Sequence, residues 1–245
     1  MKIEIKKTKE PGWIQVTTLD ERFYLRESDE RVFPSSTWIA GYYPKGIQFY
    51  KWLAQKGWDE SQAIKIAAGD KGSKIHQAIE DLERQGEIEM GYMYPNPTTG
   101  AQEELTVEEW EACMSFMDWR KSVNPEMVKC EQVVYNEEHN YAGTLDRIYR
   151  IDNQLWVVDF KSGQHIWTEA ELQVSSYKHA LPDPNSYKLA ILQLGYKQNK
   201  RGWKWTEIED KFDLFLHASA IWKHENPNTK PKQMSYPMKL SIKEK

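Results

Sequence analysis

AGTLDRIYRIDNQLWVVDFKSG, residues 142–163, reads as two β-strands joined by a two-residue turn. Asp152 and Asn153 both tolerate positive φ, as a tight hairpin turn requires. A turn there sets the register: Ile151 faces Gln154, and counting outward along both strands brings Asp146 opposite Asp159. Directly opposed residues hold their Cβ atoms about 4.5–5.5 Å apart. Two carboxylates so placed repel each other unless a cation lies between them. The two-residue period of a strand puts Lys161 on the face of Asp159 and turns Phe160 to the other face, leaving its carbonyl near the acids. Val157, Val158 and Phe160 make this a buried strand, where unpaired charge is expensive. An Asp-x-Lys ladder on a half-exposed strand is the bland alternative, and the opposed Asp146 argues against it. Two acids and an amine in this setting suit a hard divalent cation, Mg²⁺ or Mn²⁺. Such an ion polarises phosphoryl oxygens and acidifies bound water, while the amine orients that water or offsets developing charge.

Outward from this hairpin, 128–136 forms a third strand on the N-terminal side, rich in Val. A helix over 168–181, stopped by Pro182, leads to strands over 187–196 and 202–208 and a last helix over 210–223. The first half of the chain is mostly helical. Short strands at 13–18 and 22–26 precede a helix start at Ser35-Ser36-Thr37, and helices follow over 46–56 and 60–85, the second with a break expected near Gly69–Gly72. Residues 91–100, with two prolines and two glycines, read as a loop. Thr106 and Glu109 form a capping box opening a helix to about 122. The expected class is α/β: a mixed central sheet flanked by helices, with a helical N-terminal part. One domain over 1–245 is expected, with a helical part over 1–125, a sheet core over 126–223 and a basic tail over 224–245.

The chain has 245 residues, enough for one large core without disulfide or metal staples. Eleven Trp and 13 Tyr exclude wholesale disorder. Apolar runs such as 155–158 and 189–192 are only four residues long, against about 20 for a membrane span, so no membrane partner is expected. The first residues hold no signal-like apolar segment, and two cysteines make no disulfide framework, so a cytoplasmic location is the expectation. The net charge of −4 excludes a globally basic nucleic-acid binder but not a local basic surface. Residues 196–205 supply one: Lys197, Lys200, Arg201 and Lys204 interleave with Tyr196, Trp203 and Trp205, a pattern suited to phosphates and stacked bases. An exposed hairpin tip explains the same residues. Trp38, Tyr42, Tyr43, Phe49, Tyr50 and Trp52 form an aromatic patch expected to pack in the core, with base stacking as the alternative.

Gly143-Thr144-Leu145-Asp146 followed by Val157-Val158-Asp159-Phe160-Lys161-Ser162-Gly163 resembles the PD-(D/E)XK nuclease superfamily. It is most similar to the RecB-like branch, with its CRISPR-adaptation exonucleases, mitochondrial genome-maintenance exonuclease and phage exonucleases. Gly72-Ser73-Lys74-Ile75-His76 matches that branch's Gly-x-x-x-His helix, and Gln173-Val174-Ser175-Ser176-Tyr177 its Gln-x-x-x-Tyr helix. Pro34-Ser35-Ser36-Thr37, Lys45-Gly46 and Trp52 match the N-terminal pattern of the phage members. The resemblance covers about 34–177, in order.

It implies a restriction-endonuclease-like core. It implies that His76, Asp146, Asp159 and the Phe160 carbonyl bind the metal, and that Lys161 is catalytic. Glu131 matches a family glutamate of less defined role. Gln173 and Tyr177 would border the site and touch the nucleic-acid backbone, and Glu80 would either back the site or lie on the surface. Relatives with an iron–sulfur cluster use four cysteines; Cys113 and Cys130 cannot, so no cluster is expected. The implied activity is a Mg²⁺- or Mn²⁺-dependent DNA exonuclease acting on single-stranded ends or flaps, in phage-type recombination, replication or DNA processing. A structure-selective endonuclease on the same core and a non-catalytic nucleic-acid-binding or assembly module remain open.

Overall fold

A computed structural model describes residues 4–18, 21–227, 230–231 and 240–242. The chain opens with four antiparallel strands in sequential order, β1 (Glu4–Lys7), β2 (Trp13–Thr17), β3 (Arg22–Arg26) and β4 (Arg31–Pro34). Helices α1 (Ser36–Ala40), α2 (Ile47–Lys56) and α3 (Trp58–Gln85) follow, then a small hairpin of β5 (Met93–Pro95) and β6 (Gln102–Glu104), then α4 (Val107–Val123). The second half contains β7 (Glu126–Asn136), β8 (Tyr141–Ile151), β9 (Gln154–Lys161), α5 (Thr168–Lys178), β10 (Tyr187–Leu194), β11 (Trp203–Ile208) and α6 (Phe212–Glu225). Its five strands form one mixed sheet in the order β11-β10-β9-β8-β7, with β10 parallel to β9 and every other neighbour antiparallel. The mixed α/β class expected from sequence is what the chain adopts. Among the described residues, no helix is long and apolar enough to cross a membrane.

The sheet is a middle layer because its strands alternate apolar side chains to both faces. Val158, Phe160 and Leu192 point into a core with Ile75 and Ile79 of α3 and Phe116 and Trp119 of α4. Their neighbours Val157 and Ile191 point the other way, against Ala170, Val174 and Tyr177 of α5. Beyond α5, α1 and α6 close a third cluster through Ile39, Leu172, Phe215 and Trp222. The N-terminal sheet packs on β7 and β8 through Trp13, Tyr24, Phe33, Val133 and Ala142.

The decisive hairpin forms as its turn chemistry dictates. Asp152 and Asn153 take φ of 47° and 63°, and the pairs run from Ile151–Gln154 to Arg147–Val158. The capping box of Thr106 and Glu109 is also in place. Three local expectations are corrected. Helix α3 runs unbroken through Gly69 and Gly72; each glycine costs about 1 kcal/mol against alanine, too little to stop a helix anchored by packing at its C-terminal half. Residues 91–100 contain β5, because Tyr94 is drawn into the core. In the aromatic patch, Trp38, Tyr42 and Tyr43 pack as expected, whereas α2, which carries Phe49, Tyr50 and Trp52, has no buried residue. Most of the basic tail at 224–245 lies outside the described residues.

Gly143 marks the tightest approach between layers. A Cβ there would lie 2.5 Å from Tyr177 Cε1 and 2.6 Å from Ser36 Oγ, so the residue lets α1 and α5 close on β8. Replacement Gly143→Ala forces these helices back and is expected to cost about 1–3 kcal/mol. A thermal melt should show a drop of several degrees; an unchanged melting temperature would mean the contact yields freely.

Candidate functional site

The site forms where β8 loses its backbone partners on both sides. Toward β9 the ladder ends at Arg147–Val158, one residue before Asp146 meets Asp159. Instead, the Phe160 N–H donates to Asp146 Oδ2 at 2.7 Å. A buried N–H must find an acceptor, and here a side chain replaces the ladder. Toward β7 the paired residues are Cys130–Arg147 and Gln132–Leu145, leaving Glu131 between them at φ 50°. Asp146 is therefore flanked by Glu131 and the Phe160 peptide across two openings in one sheet.

His76 reaches this point from α3. Its Nε2 lies 3.1 Å from the Phe160 carbonyl oxygen and its Nδ1 3.5 Å from Asp146 Oδ1. His76, Glu131 and Asp146 each offer a ligand atom within 4.8 Å of the others. Octahedral ligands at about 2.1 Å from a common ion stand roughly 3 Å apart, so these groups can converge on one cation. Asp159 is held differently. Lys161 Nζ is 2.6 Å from its Oδ2, yet that buried oxygen receives no well-aligned hydrogen bond, so the contact is ionic and leaves acceptor capacity. The donor set of carboxylates, one carbonyl and one imidazole fits Mg²⁺ or Mn²⁺. The His76 and Lys161 side chains are 27% and 30% exposed, so the cluster is reachable from solvent.

The electrostatics follow from burial and crowding. Burial works against a charged Asp146, but His76, Lys161 and the Phe160 N–H outweigh it and hold its carboxyl at about 2. Burial dominates at Asp159 and lifts it to about 6 despite Lys161. Glu131 is also raised, by burial and then by Asp146. Burial opposes charge on His76 and Lys161, yet the acids raise both, so the imidazole favours its protonated form with both nitrogens facing acceptors. A cation that takes His76 as ligand must displace that proton.

A second layer, which the sequence reading missed, centres on Arg147. It is fully buried, and its Nε donates to Glu83 Oε2 at 2.6 Å. Its Nη1 donates to the Asp146 carbonyl at 2.7 Å and to Glu131 Oε1 at 3.2 Å. The guanidinium also lies 5.3 Å from the Phe160 ring centre. Glu83 takes a further bond from the Tyr149 hydroxyl at 2.7 Å. One guanidinium thus ties the His76 helix to the three strands around Asp146. A signal existed, since Glu83 follows His76 by two helical turns on the same face.

Of the remaining predicted residues, Gln173 and Tyr177 border the cluster. Gln173 Oε1 lies 3.5 Å from Lys161 Nζ, and its amide nitrogen donates to the Tyr177 hydroxyl at 2.6 Å and to Thr37 Oγ1 at 3.2 Å. Glu80 is buried rather than on the surface, and Lys9 and Arg84 take up its carboxylate. The 196–205 hairpin sits against the loop after Lys161, with Gln164 bonding the Gly195 carbonyl and the Lys197 N–H. Its aromatics are partly committed to packing: Tyr196 is buried, and Trp203 and Trp205 are half-buried. Trp205 stacks on Trp119, and Trp203 packs on the core with Arg201 over its ring. Lys197 pairs with Glu108, and Lys200 lies at the exposed tip. No protein-family model and no curated protein matches the chain.

Two tests follow from these energetics. Asp159 titrates near 3.8 when unfolded and near 6 when folded, so its ionisation penalises the fold as pH rises across that interval. In EDTA at pH 7, Asp159→Asn should melt a few degrees above wild type, with the gap closing by pH 4; a variant less stable at pH 7 would contradict the burial argument. Removing Arg147 leaves buried Glu83 with only the weaker Arg120 pair and the Tyr149 hydroxyl, so Arg147→Met should lose about 2–4 kcal/mol in urea unfolding. Adding Glu83→Gln should restore part of that loss, and no recovery would show the pair is not the cause.

Proposed function

We propose that the chain is a divalent-metal-dependent DNA exonuclease that hydrolyses phosphodiester bonds from single-stranded ends or flaps. The observation that carries the reading is the Asp159–Lys161 ion pair beside Asp146 and His76 at one opened point of the sheet. The mixed sheet between α3–α4 and α5 supports a restriction-endonuclease-like core. His76, Asp146, Asp159 and the Phe160 carbonyl would hold Mg²⁺ or Mn²⁺, and Glu131 is placed to join them. Such an ion supplies Lewis acidity toward a phosphoryl oxygen and lowers the pKa of water.

The protein's own groups do the positioning. Asp159 keeps Lys161 charged and fixed, so the ammonium can offset charge developing on the phosphate. Gln173 steadies Lys161 from α5, and the Gln173 amide and Tyr177 hydroxyl form a polar border suited to the phosphate backbone. Phosphate-backbone recognition at that border does not depend on base identity, which suits a processing enzyme of the cytoplasm acting on DNA of any sequence.

The test is a time course on end-labelled linear single-stranded, duplex and circular DNA with Mg²⁺ or Mn²⁺. Wild type should shorten linear single strands, and Lys161→Ala and Asp159→Ala should each lose at least about a hundredfold in rate. Cutting of circles would make the enzyme an endonuclease, and equal rates in the variants would reject the site.

A further inference from the structure

Helix α2 and the first half of α3 form an arm that the rest of the protein does not cover. Across residues 47–73 only Ser61 is buried. A helix of ten residues such as α2 is marginal in water without a packed face, yet none of its side chains is buried. Tyr50 and Trp58 stand 52% and 67% exposed, and Ile47, Ile64 and Ile66 are exposed nearby. Rings of this size are normally buried or used, and a group of them in water marks a binding surface.

The arm is continuous with the candidate centre. Helix α3 carries His76 beyond the arm, and Gly72 passes the loop after Lys161, with its Cβ direction 3.8 Å from Ser162 Oγ. Along α3, Trp58 is about 27 Å from His76 at the helical rise per residue. Charge leans toward a polyanion: residues 47–73 hold four lysines and three acids in a chain whose net charge is −4. Among the described residues, Lys51 and Lys65 have no ion pair, so both are free to contact phosphate.

We infer that this α2–α3 arm binds single-stranded DNA, with Tyr50 and Trp58 stacking on bases and Lys51 and Lys65 on phosphates, and leads the strand to the site. Unpaired bases are required, because ring faces are closed to stacking inside a duplex. The inference rests on the proposed reading of the site, which gives the strand its destination.

The test measures binding of a 20-residue oligothymidylate in EDTA, where no cleavage occurs. Tyr50→Ala with Trp58→Ala should weaken binding about tenfold or more, and Lys51→Gln with Lys65→Gln should flatten the log–log salt dependence by roughly 1.4. Hydrolysis of bis-p-nitrophenyl phosphate with Mn²⁺, too small to reach the arm, should survive in both pairs and be lost in Lys161→Ala. Unchanged affinity and salt slope overturn the arm. So does a wild-type dimer, seen by light scattering, that the ring variants dissolve together with their loss of binding, since that makes the arm a self-association surface. If wild type hydrolyses no phosphodiester while the arm variants still lose strand binding, the site reading fails and the arm stands.

Discussion

A carboxylate oxygen that accepts a backbone N–H inside a β-sheet binds chemistry to fold more tightly than any surface cluster can. Asp146 Oδ2 takes the Phe160 N–H that β8 would otherwise receive on its backbone. That bond lets β8 and β9 part without leaving a buried donor unsatisfied, whose cost is about 1–3 kcal/mol. It also fixes the Phe160 peptide, whose carbonyl faces His76 and whose neighbours Asp159 and Lys161 carry the proposed chemistry. The same residue therefore closes the gap in hydrogen bonding and supplies the carboxylate.

Opening a sheet this way gathers charge where water is scarce, and the structure answers with opposite charge at two depths. Lys161 and His76 face the acids from the accessible side. Arg147 faces them from the core, shared between Glu83, Glu131 and the Asp146 carbonyl. Arginine suits that post because its rigid fork serves several acceptors at once and it does not lose its proton. The compensation is incomplete at Asp159, whose raised carboxyl leaves the metal-free fold carrying a penalty. A divalent ion held by the same groups would relieve it, and binding of such an ion would then be linked to folding.

How much of this was legible depends on the range of the interaction. The hairpin register follows from Asp152 and Asn153, two adjacent residues, and it holds as far as Arg147–Val158, so counting brings Asp146 and Asp159 to the same end of the ladder but not into it as a pair. The faces of Lys161 and Phe160 follow from the strand period. The positive φ of Glu131 and the parting of the strands at Asp146 are tertiary, and no turn residue announces them. Arg147 and Glu83 lie 64 residues apart, and their pairing depends on how α3 crosses the sheet. The aromatic patch divided because its two halves differ in tertiary placement rather than composition. Trp38 and Ile39 sit on α1, pressed between α5 and α6, whereas α2 gathers most of its apolar residues on one side that the core does not cover.

The two halves of α3 are one mechanical element. Backbone hydrogen bonds run through Gly69 and Gly72 without interruption, so the arm cannot tilt without turning the segment that carries His76. The buried half is clamped by Ile75, Ala78 and Ile79 in the core and by Glu83 on Arg147. The exposed half has no buried clamp, and beyond the surface contacts of Asp70 with Thr98 and Lys71 with Glu108 its orientation is inherited from the packed half. Gly72 sits at the junction, where the helix passes within van der Waals reach of Ser162 in the loop after Lys161. A strand held on the arm would be aimed by the same rigid rod that sets the imidazole at Asp146. Guidance and chemistry then share one set of contacts, and precision at the site extends outward for the length of the helix.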